Sequence, residues 1–91
     1  MGSLVAIKVK LMPESPDTNL TLIKEEVGKR VRDLEAQFYG DEEEDVAFGL
    51  TAVLVTIGWP EEKDPDDLEN QLRGIEGVQS VQIVDVRRGV G

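Results

Sequence analysis

From Leu4 to Met12 apolar and other residues alternate, with Val5, Ile7, Val9 and Leu11 on one side and Ala6, Lys8, Lys10 and Met12 on the other. A period of two with one apolar side predicts a strand that buries a single face. Pro13 and Pro16 interrupt regular pairing and mark a loop. Asp17, Thr18 and Asn19 can each cap a helix, because each side chain can accept from a free backbone N–H. Leu20, Ile23, Val27, Val31 and Leu34 then fall on one helical stripe, with Lys24, Glu25, Lys29, Arg30 and Arg32 largely off it. Gly28 weakens that helix and is expected to allow close packing on a sheet.

Residues 35–59 read as a long hairpin whose first arm is interrupted by Gly40 and the acidic run Asp41–Asp45. Its second arm, Leu50–Trp59, places Val53, Val55, Ile57 and Trp59 on one face and Leu50, Ala52, Leu54 and Thr56 on the other. Apolar residues on both faces predict a central strand. Asp64-Pro65 opens a second helix, Leu68, Leu72 and Ile75 form its stripe, and Gly74 or Gly77 can supply a left-handed stop. Val78–Val86 is the last strand, and its shift from Val81/Ile83 to Val84/Val86 permits a bulge.

The order βαββαβ predicts an α+β, ferredoxin-like sandwich, a four-stranded antiparallel sheet with two helices on one face. Leu50, Ala52, Leu54 and Val84 are the candidates for the open face. A chain of 91 residues allows one domain, 1–91, and buries only about 60–65% of its unfolded surface, so every element has to serve one core.

Composition narrows the chemistry. The chain has no cysteine and no histidine, which removes disulfides, thiolate metal sites, the cysteine nucleophile and the usual general base near neutral pH. No metal or cofactor is expected, and an enzymatic reading has no supporting pattern. Nineteen acidic residues face ten basic ones, for a net charge of −9. Residues 1–34 (six basic, five acidic) and 77–91 (two basic, one acidic) are each slightly positive, whereas 35–76 carry thirteen acidic against two basic side chains. Direct nucleic-acid binding needs clustered Lys and Arg and is not expected. No apolar stretch approaches the roughly 20 residues of a membrane span, and no signal pattern opens the chain, so a cytoplasmic protein is expected. Separately, the free protein is expected to be a monomer.

The acidic run lacks the alternating ligands and central glycine of an EF-hand and is read as a solvated hairpin tip. Trp59, beside Gly58 and Pro60, is read as an aromatic covering the sheet edge. Asn19-Leu20-Thr21 matches a glycosylation acceptor, a coincidence in an intracellular chain. Arg87-Arg88 is a small basic feature on an acidic molecule. Other activities on this fold fail by absence. There is no Cys-x-x-Cys for heavy metals, and apart from Trp59 at a strand end the central strands offer Leu, Ala, Val, Thr and Ile rather than aromatics for RNA bases to stack on. The loop Pro13-Glu14-Ser15-Pro16-Asp17 would repel the phosphate of an acyl-phosphate hydrolase substrate.

Val5–Pro13 followed by Glu14-Ser15-Pro16-Asp17, then Val46-Ala47-Phe48-Gly49-Leu50, then Gly77-Val78-Gln79-Ser80-Val81 closing on Val84-Asp85-Val86, resembles the archaeal elongation factor 1-beta family. That resemblance implies a ferredoxin-like guanine-nucleotide exchange factor whose partner is the GTPase elongation factor 1-alpha, promoting GDP release so that GTP can rebind during translation elongation. It also implies a partner-binding aromatic between the second and third strands, here Phe48 beside Gly49, with Ala47 where the family has a first glycine. Eukaryotic members place a lysine near the C-terminus toward the GTPase's magnesium site, and Arg88, with Arg87 adjacent, takes that position here. The alternative from another class is a small ligand-binding regulatory module of the ACT kind, which shares the fold. The loop Pro13-Glu14-Ser15-Pro16 lacks the glycine typical of such a ligand loop.

Overall fold

The computed structural model describes residues 3–88. The order is β1 (Leu4–Pro13), α1 (Leu20–Asp33), β2 (Gln37–Asp45), a single turn at Ala47–Gly49, β3 (Thr51–Pro60), α2 (Pro65–Arg73) and β4 (Val78–Arg87). The strands form one sheet in the order β2-β3-β1-β4, with every neighbouring pair antiparallel. This is the expected ferredoxin-like βαββαβ arrangement.

The two-residue period of β1 acts as read. Val5, Ile7, Val9 and Leu11 are buried, and opposite them in register stand Trp59, Ile57, Val55 and Val53 of β3. Ile23, Val27 and Val31 of α1, with Leu68 and Leu72 of α2 and the following Ile75, close over the same face in one cluster. Both helices therefore cover one side of the sheet.

Local chemistry sets the helix ends. The Asn19 side chain accepts from the N–H groups of Thr21 and Leu22, and that of Asp64 from Asp66, with Pro65 in the first helical turn where no donor is lost. At the far end of α1, Ala36 donates to the Val31 carbonyl and Glu35 to that of Arg32, a Schellman closure with Glu35 at φ 61°. Two cations finish the carbonyl ends: Lys63 donates to Leu34 (3.0 Å), and Arg30 donates to Gln71 (2.9 Å) and Gly74 (3.5 Å).

Several expectations need correction. The run Asp41–Asp45 is not the hairpin tip: it is paired strand, registered against Val55–Thr51, and the tip follows it. Trp59 covers no edge, since β3 is an inner strand and its inward face carries the indole into the core, 1% exposed, with Nε1 donating to the Lys63 carbonyl. A Cβ on Gly28 would meet nothing within 4 Å, so no close approach requires that glycine. Of the two candidate stops, Gly74 is right-handed (φ −78°) and Gly77 left-handed (φ 90°), but Gly77 serves to start β4 rather than to end α2. Leu50 belongs to the tip, and Ala52 is fully covered although it lies outside the core cluster. The bulge in β4 is present, with Val84 as the unpaired extra residue between Ile83 and Asp85.

Two substitutions test this account by urea unfolding. Gly28→Ala should raise stability by about 0.5–1 kcal/mol, because the helix gains propensity and no contact is violated. Glu35→Gly should add about 1 kcal/mol by releasing the left-handed strain. No gain from either would show that these positions are constrained by something other than their own backbone.

Candidate functional site

The β2–β3 connection is a tight turn. Leu50 N–H donates to the Ala47 carbonyl (3.3 Å), and Val46 N–H donates to Leu50 (2.8 Å). Both central residues have positive φ, 62° at Phe48 and 74° at Gly49. That is the pattern of a type I′ turn, whose central pair is ordinarily Asn-Gly or Gly-Gly. Gly49 meets the requirement without cost, whereas a side chain at Phe48 costs about 1–2 kcal/mol. The ring gains nothing in return from its own chain, since Phe48 is 93% exposed. The fold thus holds a large apolar side chain in water on a backbone that disfavours it.

Arg87 and Arg88 lie elsewhere. Arg87 stands opposite Ala6 on β1, while the turn lies beyond Asp45 and Thr51, level with the Pro13 end of β1. Seven residues of strand separate the two levels, more than about 20 Å. Phe48 with Gly49 and Arg87 with Arg88 therefore form two groups at opposite ends of the sheet. Arg87 Nε donates to Asp85 (2.9 Å), and Arg88 is exposed with no carboxylate partner among the described residues.

The acidic run that leads into the turn is divided by the strand pleat. Asp41 and Glu43 pair in register with the inward-facing Val55 and Val53, and Lys24 of α1 meets both, 3.6 Å from Asp41 Oδ1 and 2.7 Å from Glu43 Oε2. Glu42 and Glu44 face the open side, where Lys8 reaches Glu42 (3.7 Å) and Lys10 reaches Glu44 (3.3 Å). Those two lysines stand on β1, so each pair spans β3, across Thr56, Leu54 and Ala52. This explains why the open face is partly covered. Glu43, accepting from Lys24, raises the lysine above its ordinary value of 10.5, and burial opposes that only in part. The sequence reading missed these lysines. Their signal was Lys8 and Lys10 recurring on the polar side of β1 at the same two-residue period as Glu42 and Glu44.

Among the described residues, no group of three or more Cys, His, Asp or Glu side chains is placed to hold a metal ion, and no helix is long and apolar enough to cross a membrane. An open depression of about 650 Å³ lies between α1 and the α2–β4 connection, lined by Leu22, Glu25, Lys29, Arg30 and Glu76 among others. Its charged, open wall makes no enclosed pocket for a small ligand.

The described residues thus form a ferredoxin-like domain with a strained, exposed aromatic at one end and an arginine pair at the other. The chain belongs to the EF-1 guanine nucleotide exchange domain family, whose model matches residues 6–88. It is 41% identical to elongation factor 1-beta of Methanothermobacter thermautotrophicus, covering 97% of this chain and 98% of that one. The corresponding figures are 45%, 92% and 96% for elongation factor 1-beta of Methanosarcina barkeri, and 38%, 92% and 94% for that of Sulfolobus acidocaldarius. Among solved structures, the ACT domain of GTP pyrophosphokinase from Chlorobium tepidum superposes with a TM-score of 0.60 over 90% of this chain and all of that one. At 15% identity that likeness is one of fold alone.

The raised Lys24 gives a signed pH prediction. Its stabilising contribution is complete below the unfolded value and is lost as pH rises through the higher folded one. The difference in urea midpoint between wild type and Lys24→Met should therefore be constant from about pH 6 to 10 and shrink only above that. A difference that vanished below pH 9 or so would assign the effect to another group.

Proposed function

We propose that this protein is the guanine-nucleotide exchange factor of elongation factor 1-alpha, promoting release of GDP so that GTP can rebind during translation elongation. Membership of the exchange-domain family supports this reading, and one observation carries it to particular residues. Phe48 occupies a turn position that costs the fold energy and buries nothing, an arrangement expected where a side chain is held ready for a partner.

Exchange involves no bond chemistry in the factor. It binds the nucleotide-free GTPase more tightly than the nucleotide-bound form, and by linkage it weakens nucleotide binding by the same factor. Two separated groups suit that task. Phe48, with Gly49 setting the turn, anchors one end, since burying a Phe side chain contributes about 1.5–3 kcal/mol. Arg88, with Arg87 beside it, brings positive charge at the other end toward the GTPase's magnesium and phosphate site. Because Arg presents a planar fork where eukaryotic relatives place a compact ammonium, it would compete for phosphate oxygens in a bidentate manner. Such a factor acts in the cytoplasm, as a monomer when free, without touching nucleic acid or membrane itself.

The test is release of labelled GDP from the GTPase. Wild-type protein at micromolar concentration should accelerate it severalfold or more, and no acceleration would end this reading. Phe48→Gly should raise the half-saturating concentration about tenfold or more while the unfolding midpoint stays level or rises, because the strain is removed together with the anchor. Arg88→Ala should lower the maximal rate with less effect on half-saturation. If Phe48→Gly leaves exchange unchanged, the turn is not the contact.

A further inference from the structure

We infer that Lys24 is a positioning residue for the β2–β3 hairpin, clamping the arm that carries Phe48. This rests on the exchange-factor reading for its functional consequence, but its structural basis is independent. No side chain of β2 is fully buried. The strand lies at the sheet edge and has β3 as its only backbone partner. Hydrophobic burial, which fixes β1, β3 and both helices, therefore does little to fix this arm.

Charge takes over that task. Lys24 sits on α1 next to the buried Ile23 and one turn before the buried Val27, so its stem starts from a backbone anchored in the core. Its ammonium lies between Asp41 and Glu43, residues two apart on one face of the strand. Carboxylates at that spacing have Cα atoms about 7 Å apart, and one cation held by both fixes the strand along its axis as well as toward the helix. Lys8 and Lys10 restrain Glu42 and Glu44 from the other face, but both stand on β1 and so tie the arm within the plane of the sheet. Lys24 alone among the observed ion pairs ties β2 to the helix layer. Its removal leaves Asp41 and Glu43, seven and five positions before Phe48, as unpaired like charges on the helix side, and the arm swings outward. Exposed ion pairs contribute little to global stability, so beyond a small shift in the urea midpoint the effect is on where the arm sits.

The experiment uses the full chain with Lys24→Met, which keeps the aliphatic stem, Lys24→Arg, which keeps the charge, and the exchanged pair Lys24→Glu with Glu43→Lys. For Lys24→Met, β2 amides bonded to β3 should exchange with solvent about fivefold faster while β1 amides keep wild-type rates. Half-saturation in the GDP-release assay should rise about threefold at unchanged maximal rate, with Lys24→Arg and the exchanged pair returning both readouts toward wild type. Wild-type amide rates in Lys24→Met overturn the clamp. Faster β2 amides with unaltered half-saturation overturn the positioning role. Should the wild-type protein fail to accelerate GDP release, the exchange-factor reading falls, and the amide rates still decide the clamp.

Discussion

Everything in this domain hangs on one buried face, the inward side of β1 and β3, where Val5, Ile7, Val9 and Leu11 oppose Trp59, Ile57, Val55 and Val53. These side chains have zero or near-zero exposure, and the stripes of both helices pack onto them. Each fully buried aliphatic contributes about 1.5–3 kcal/mol, far more than any exposed ion pair. A domain of this size has no second core to fall back on. The two inner strands are therefore fixed by the hydrophobic effect, and each edge strand takes its position from them.

The edges show what happens where that source runs out. β4 keeps part of its inward face buried through Val78 and Val81, then loses it at the Val84 bulge. β2 never has it. An acidic edge strand is a sound device against unwanted pairing with other chains, since charge discourages edge-to-edge aggregation. Here the same charges, matched by lysines from α1 and β1, hold the strand to its own molecule. The net charge of −9 is thus partly structural.

Residues whose burial is periodic were legible from sequence, and those whose placement depends on pairing were not. The stripe from Leu20 to Leu34, the Asp64 cap and the alternation in β1 each carry a local signal and appear as expected, while Asn19 is the one of three candidate caps that the structure uses. β2 has exposed side chains on both faces, so no hydrophobic alternation marks it, and an acidic run reads as a loop for want of any other cue. Trp59 was misplaced although its two-residue spacing from Ile57, Val55 and Val53 already put it on the buried face of a central strand. Glu35 hides a left-handed helix closure behind a residue other than glycine. Phe48 and Gly49 were found through family resemblance, and the structure adds the strained turn that resemblance alone does not supply. The same resemblance pointed to Arg87 and Arg88, whose distance from Phe48 follows only from the strand directions.

The helix closures have a further consequence. Arg30, rooted in α1, closes the carbonyl end of α2, and Lys63, rooted just ahead of α2, closes that of α1 while resting over Trp59 at 5.7 Å. Each helix thus finishes with a side-chain donor borrowed from beyond its own length, in addition to the backbone N–H groups that close its last turn. The two helices and the inner strands are thereby tied together by these side-chain bonds as well as by their shared core. The hairpin arm lies outside that reciprocal arrangement and is held instead by its pairing with β3 and by Lys8, Lys10 and Lys24.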